Sequence, residues 1–458
     1  MPAPELDVMG LLRSRKYLVL LAASAVIGVP VAAAAYWFLY LTADLQKWIF
    51  NPAYLLKWLG FHGEPSWWPL PMVALAGVLV GATIRYLPGR GGHSPADGFK
   101  SHPPPRPVEL PGVVLAALAG LALGAVIGPE APLIAIGGGL AAAAVRLARR
   151  APPQAIQVVG AAGSFSAVST LLGSPLAGAF LLMEASGLGG PTLSLLLVPG
   201  LLASGVGTLI FIGFDSWTGH GTFALTIPNL AHIGPPDGAE FAWAIVIGLA
   251  AACLGGLIRW LGLALKPHIE RRITVLGPVV GLAVGGLAVA YFEGSGKSSS
   301  DVLFSGQSGL PTLLSNSATY SVGALLLLLA CKGLAYGLSL SAFRGGPTFP
   351  ALYLGAAGGL ALSHLPGLPS ETGAAMGVGA MACAMLGLPL TSVLVTALLF
   401  GTNGLNVMPL VIVAVVVTYV GRAHLSPKDT VEEESQKGPD RPRSPEVSEE
   451  TPGPRLYR

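Results

Sequence analysis

The pentapeptide Gly128-Pro129-Glu130-Ala131-Pro132 sets a carboxylate between two long apolar segments. An ionisable group embedded in hydrocarbon is costly, so a functional role is its default reading. Pro129 and Pro132 suit the first turn of a helix, where a missing N–H costs nothing. Gly128 lets the backbone turn into that helix. The pattern predicts a helix that starts inside the membrane, its free N–H groups and positive dipole end facing a cavity. Such an end attracts anions. Glu130 can then fill the anion's place, leave it, or bind a proton. The plainer alternative is that its carboxylate only caps the helix.

The motif recurs. Gly128-Pro129-x-x-Pro132-x-x-x-x-Gly137 is matched by Gly346-Pro347-x-x-Pro350-x-x-x-x-Gly355, an offset of 218 residues. Leu172-Gly173-x-Pro175-Leu176, preceded by Gly163, is matched by Leu386-Gly387-x-Pro389-Leu390, preceded by Gly377, at an offset of 214. The helix after Glu130 runs to Arg146, Arg149 and Arg150, whereas its counterpart runs into 361–370, which has no Lys or Arg. By the positive-inside rule the two point in opposite directions. Inverted repeats of this kind hold substrate at the membrane midplane, where broken helices meet. Two positive helix ends converging on one point imply an anionic substrate.

Composition agrees with a polytopic membrane protein. Of 458 residues 52% are hydrophobic and only 11% charged, against about a quarter charged in soluble domains. The 62 glycines and 39 prolines suit broken helices and close helix packing. A net charge of +3 gives no indication of nucleic-acid binding. Cys253, Cys331 and Cys383 lie far apart in apolar runs, without metal or redox spacing, and read as small buried residues.

The elements that must position the motifs follow in order. A polar N-terminal segment, 1–16, precedes a first membrane repeat over 17–213, with apolar spans at about 17–43, 70–88, 110–127, 130–146, 155–172, 175–186 and 191–213. Trp58, Trp67 and Trp68 in the loop 44–69 suit the membrane interface. A polar loop, 214–238, has no Lys or Arg and is expected outside. A second repeat, 239–422, has spans at about 239–265, 274–292, 320–341, 350–362, 371–387, 389–400 and 405–421. The Ser/Gly-rich stretch 293–318 is expected outside. Residues 423–458 are charged and Pro-rich, the composition of a disordered tail. Arg13, Arg15 and Lys16 ahead of the first span predict cytoplasmic termini in a bacterial-type plasma membrane. The fold class is thus all-α, polytopic, with an inverted repeat and re-entrant helices.

These residues resemble the CLC family of chloride channels and proton-coupled chloride exchangers over about 10–422. The family carries three anion-binding motifs, Gly-Ser-Gly-Ile-Pro, Gly-Arg-Glu-Gly-Pro and Gly-x-Phe-x-Pro. Their places here are taken by Gly91-Gly92-His93-Ser94-Pro95, by Gly128–Pro132 and by Gly346-Pro347-Thr348-Phe349-Pro350. The resemblance implies anion-binding positions at Gly92, His93, Ser94, Gly128, Pro129, Glu130, Ala131, Pro347, Thr348 and Phe349. It implies Glu130 as the gate and a homodimer with a separate pathway in each subunit, joined through about 175–213 and 389–421. It also implies a small anion, foremost chloride, as the partner, possible exchange for protons, and a lipid setting. It brings no cofactor, no metal and no enzymatic activity.

The chain departs from the family in ways that matter. The filter serine falls on Gly92, and Thr348 stands where the family has Phe. The pore tyrosine belongs to a last helix that this chain lacks, and the tail offers only Tyr457. Backbone N–H groups can still bind anion without those side chains. The exchangers' inner glutamate falls on Ala185, with Glu184 one position earlier, about 100° around a helix. Glu184 is therefore either a displaced proton relay or a packed acid. Lys332, the one lysine inside a span, either raises the potential along an anion path or snorkels or pairs. His93 either binds anion or proton or supplies a hydrogen bond where a helix begins. Passive conduction and proton-coupled exchange both fit Glu130. A transporter of organic anions would need more polar side chains than these Gly/Pro motifs supply. An enzyme would need a clustered acid–base or nucleophile set, whereas Glu130 and Glu184 are the only acids well inside the spans.

Overall fold

A computed structural model describes residues 8–99, 103–147, 152–187, 190–219, 227 and 233–425. Of the expected tail 423–458, residues 423–425 continue the last helix, and 426–458 lie outside the described residues, as do Arg149 and Arg150. The helices are α1 (Val8–Leu12), α2 (Arg15–Phe50), α3 (Pro69–Tyr86), α4 (Leu110–Ala122), α5 (Glu130–Leu147), α6 (Pro153–Leu172), α7 (Pro175–Ser186), α8 (Gly190–Thr218), α9 (Gly238–Arg271), α10 (Ile273–Ser295), α11 (Gly309–Ser315), α12 (Val322–Ala342), α13 (Thr348–Leu362), α14 (Ser370–Leu386), α15 (Pro389–Leu399) and α16 (Gly404–Leu425). Among the described residues nine helical stretches are long and apolar enough to cross a membrane. Helices α4, α7, α13 and α15 are apolar but shorter, as broken helices must be.

The inverted repeat is visible in the packing. Helix α5 crosses α6 where Gly137 meets Gly163, and α13 crosses α14 where Gly355 meets Gly377. A Cβ on any of the four would run into the carbonyl oxygen of its partner. Small residues let the backbones touch, which gives apolar helices dispersion contacts that lipid cannot replace. Helices α3 and α10 meet in the same way through Gly77 and Gly277. The repeats run antiparallel where they join: the isolated bridge between Gly128 and Gly346 is antiparallel.

Several boundaries differ from those expected. The span 110–127 ends as a helix at Ala122, because Gly124 takes φ +102°, outside the helical region. Helix α2 continues to Phe50 and is followed by a π-helical turn, Pro52–Leu56, so the loop before α3 is shorter than 44–69. Trp58 and Trp67 are exposed as interfacial residues would be, but Trp68 is buried and donates from Nε1 to the Ile49 carbonyl at 3.2 Å. Cys331 and Cys383 are buried, whereas Cys253 is exposed on α9. The stretch 293–318 contains α11.

Lys332 takes the pairing alternative. Its Nζ donates to the carbonyls of Asp301, Val302, Leu303 and Phe304 at 2.9, 3.1, 3.1 and 3.4 Å and lies 4.5 Å from the centre of the Tyr353 ring. Asp301 in turn accepts from Tyr320 at 3.0 Å and Tyr353 at 3.2 Å. A buried ammonium is tolerated only when its donors are matched in this way. The cluster fastens the turn at 301–304 to α12 and α13.

Candidate functional site

The site forms where α5 and α13 begin. Gly128 N–H donates to the Gly346 carbonyl at 2.7 Å, and Gly346 N–H donates back to the Gly128 carbonyl at 2.6 Å. This pairing holds the two helix N-termini against each other, so two sets of unsatisfied amides and two positive dipole ends share one place. Helix α12 braces both motifs. Ser339 Oγ accepts from Val126 N–H at 3.1 Å, and Tyr336 donates its hydroxyl to the Pro347 carbonyl at 2.5 Å.

Glu130 is fully enclosed, and its Oε1 accepts the backbone N–H of Thr348. The carboxylate of one repeat therefore occupies the first available amide of the other. Pro347 has no N–H, so Thr348 supplies the leading donor of α13. Gly128 serves this contact by its size, which corrects the expectation that it serves the turn into α5. It is absent from the positive-φ glycines, and a Cβ at either Gly128 or Gly346 would collide with the Glu130 carboxylate.

On one side of Glu130 lies a cavity of about 490 Å³. Gly92, His93, Ser94, Ala131 and Pro347 all line it, so the three motifs meet at one space. Gly128, Pro129, Glu130, Thr348 and Phe349 do not line it, though Ala131 and Pro347, their neighbours in the chain, do, and Phe349 is buried. Neither Pro129 nor Pro347 has an N–H to donate to an anion. The first motif leads into a short 3-10 turn, Pro95–Asp97, after Gly91 and Gly92 at φ +72° and +92°. These left-handed conformations curl the loop around the cavity.

Glu184 lies elsewhere. Its carboxylate accepts Leu390 N–H at 3.0 Å, Thr391 N–H at 2.8 Å and the Thr391 hydroxyl at 2.6 Å. It caps α15 from α7 and ties the two repeats together. Lys332 does not line the cavity. Among the described residues no group of three His, Cys, Asp or Glu could hold a metal ion.

Two residues at the site have no counterpart among those singled out from sequence. Tyr336 sits one helical turn beyond Lys332, and only its tertiary partner Pro347 distinguishes it from a core tyrosine. Arg344 lines the cavity with its side chain 6% exposed and bonds Glu270 at 3.1 Å. A charge directly before the Gly345-Gly346 pair was the available signal for it.

Comparison with known proteins fits this geometry. The family model described as Voltage gated chloride channel matches residues 96–422. A relative from Salmonella schwarzengrund (strain CVM19633), named ion-transport protein YfeO, is 30% identical over 383 residues, covering 82% of this chain and 87% of its own. The same protein of Salmonella typhimurium matches to the same extent. A slow cyanobacterial Cl-/H+ antiporter superposes with a TM-score of 0.72 at 18% identity, over 91% of this chain and 97% of that one. A CLC-type fluoride/proton antiporter gives 0.59 at 20% identity, over 89% and 96%. A fold of paired re-entrant helices and a family match over most of its length lead to one conclusion: the chain belongs to the voltage-gated chloride channel family, whose members transport anions across membranes and are not enzymes.

Proposed function

We propose that this protein moves a small inorganic anion, foremost chloride, along a pathway gated by Glu130, in exchange for protons. The supporting observation is the Glu130 carboxylate on the Thr348 amide, beside a cavity lined by residues of all three motifs. An anion that takes this amide must displace the carboxylate. A displaced carboxylate beside a bound anion is repelled by it and favours protonation, which couples the two ions. The named neighbours include both a chloride and a fluoride antiporter, and the amide donors suit either anion. Passive conduction is the second reading. It is favoured by Glu184, whose carboxylate is engaged by three donors as a helix cap rather than held open for proton transfer.

The proposed assembly is a homodimer meeting through α7, α8, α15 and α16, where Leu176, Leu390 and Leu405 are strongly exposed. Purified protein of twice the chain mass, reconstituted into chloride-loaded liposomes, should release chloride and move protons inward in step. Chloride flux without proton movement selects the passive reading. Absence of flux overturns the transport reading, and a particle of single-chain mass overturns the dimer.

The proposed setting is the plasma membrane, with both termini in the cytoplasm. Arg146 closes α5, while 361–370 after α13 carries no Lys or Arg. In a variant without its three native cysteines, a single cysteine in 361–370 should react with an impermeant thiol reagent added to intact cells, and one in 146–153 only once the cells are opened. Labelling of both from one side would overturn the opposite orientation of the two repeats.

A further inference from the structure

The cavity beside Glu130 holds a charge that the backbone motifs do not require. Arg344 reaches it from the end of α12, and the stem of its side chain lies against Gly91, where a Cβ would come within 3.4 Å of Arg344 Cγ. The guanidinium is only partly engaged. Nη2 donates to Glu270 Oε1 at 3.1 Å and Nη1 to the Phe343 carbonyl at 3.4 Å. Nε is buried and makes no hydrogen bond among the described residues. Ser94 Oγ, on the loop opposite, is also buried without a partner. Both residues line the cavity. An unpaired N–H of a buried guanidinium and an unpaired hydroxyl cost free energy until something accepts from them. A small anion in the cavity is such an acceptor.

We propose that Arg344 is a side-chain anion ligand of this cavity, acting with the Ser94 hydroxyl, and that its ion pair with Glu270 sets how strongly it binds. The ligand class is a small monovalent inorganic anion. Arg90 and Arg106 also line the cavity against a single carboxylate, Glu109, so the space is electropositive and concentrates anions. Glu270 lies at the end of α9 with its side chain 29% exposed. It competes with the anion for the same guanidinium. Removing Arg344 and removing Glu270 must therefore move affinity in opposite directions. The inference extends the transport reading, because it needs the cavity to receive anions but does not need Glu130 to gate them.

Titration calorimetry of the purified full chain with chloride, and separately with nitrate, tests it. Arg344→Gln should weaken binding about tenfold, the equivalent of one charge-assisted hydrogen bond. Arg344→Lys, which keeps the charge, should lose less. Glu270→Gln should tighten binding severalfold. Unchanged affinity in Arg344→Gln overturns the proposal, as does wild-type protein that binds neither anion. If Arg344→Gln does not fold, Glu270→Gln decides: tighter binding supports the proposal, and unchanged or weaker binding overturns it. Binding that follows this pattern in protein without chloride flux would remove the transport reading and leave the anion site standing.

Discussion

Glu130→Gln should leave anion flux intact or faster, with most of its pH dependence gone and no proton movement. In the wild type the carboxylate holds the Thr348 amide, next to the cavity that Ala131 and Pro347 line. The negative form is favoured by two helix N-termini, and the neutral form by burial and by an arriving anion. As pH falls, the neutral form grows, the amide is released, and flux should rise. Glutamine keeps the size and the acceptor oxygen but carries no charge, so it competes weakly and at one strength across pH. Efflux from chloride-loaded liposomes between about pH 4.5 and 7.5, which spans an ordinary to a raised glutamate range, reads this directly. Retention of the wild-type pH profile by the glutamine variant would show that the gate lies elsewhere.

A leucine at Gly355 should abolish recovery of folded protein, whereas a leucine at Gly358, on the same helix, should be tolerated. At Gly355 a Cβ meets the Gly377 carbonyl of α14, and at Gly377 a Cβ meets Gly355 in return. Forcing even one methyl into such a crossing costs about 1–3 kcal/mol, and a leucine must separate the helices. The separation would carry the start of α13, and with it the Thr348 amide, away from Glu130. At Gly358 the nearest side-chain atom is Leu329 Cδ2 at 3.8 Å, so added bulk has room. Size-exclusion profiles and Tm of the two variants in detergent give the comparison. Equal behaviour of the two would mean that the glycine crossing does not hold the repeat together.

The sequence by itself determined the elements and their symmetry. Apolar runs, Gly-Pro punctuation and the arginine asymmetry after α5 and α13 are written locally, within windows of about twenty residues, because hydrocarbon thickness sets span length and proline sets helix starts. They were enough to identify the inverted repeat, the paired helix ends and the place of Glu130. Only the tertiary structure decided what each polar group touches. Glu130 finds Thr348 at a separation of 218 residues, Glu184 caps α15 from 206 and 207 residues away, and Arg344 pairs with Glu270 across 74. Lys332 turned out to bind four carbonyls, and Trp68 to be buried, for the same reason. Polar groups inside a membrane protein must be satisfied by whatever packing brings near, and that packing is set by backbone contacts such as Gly355 on Gly377 rather than by the residues beside them in the chain.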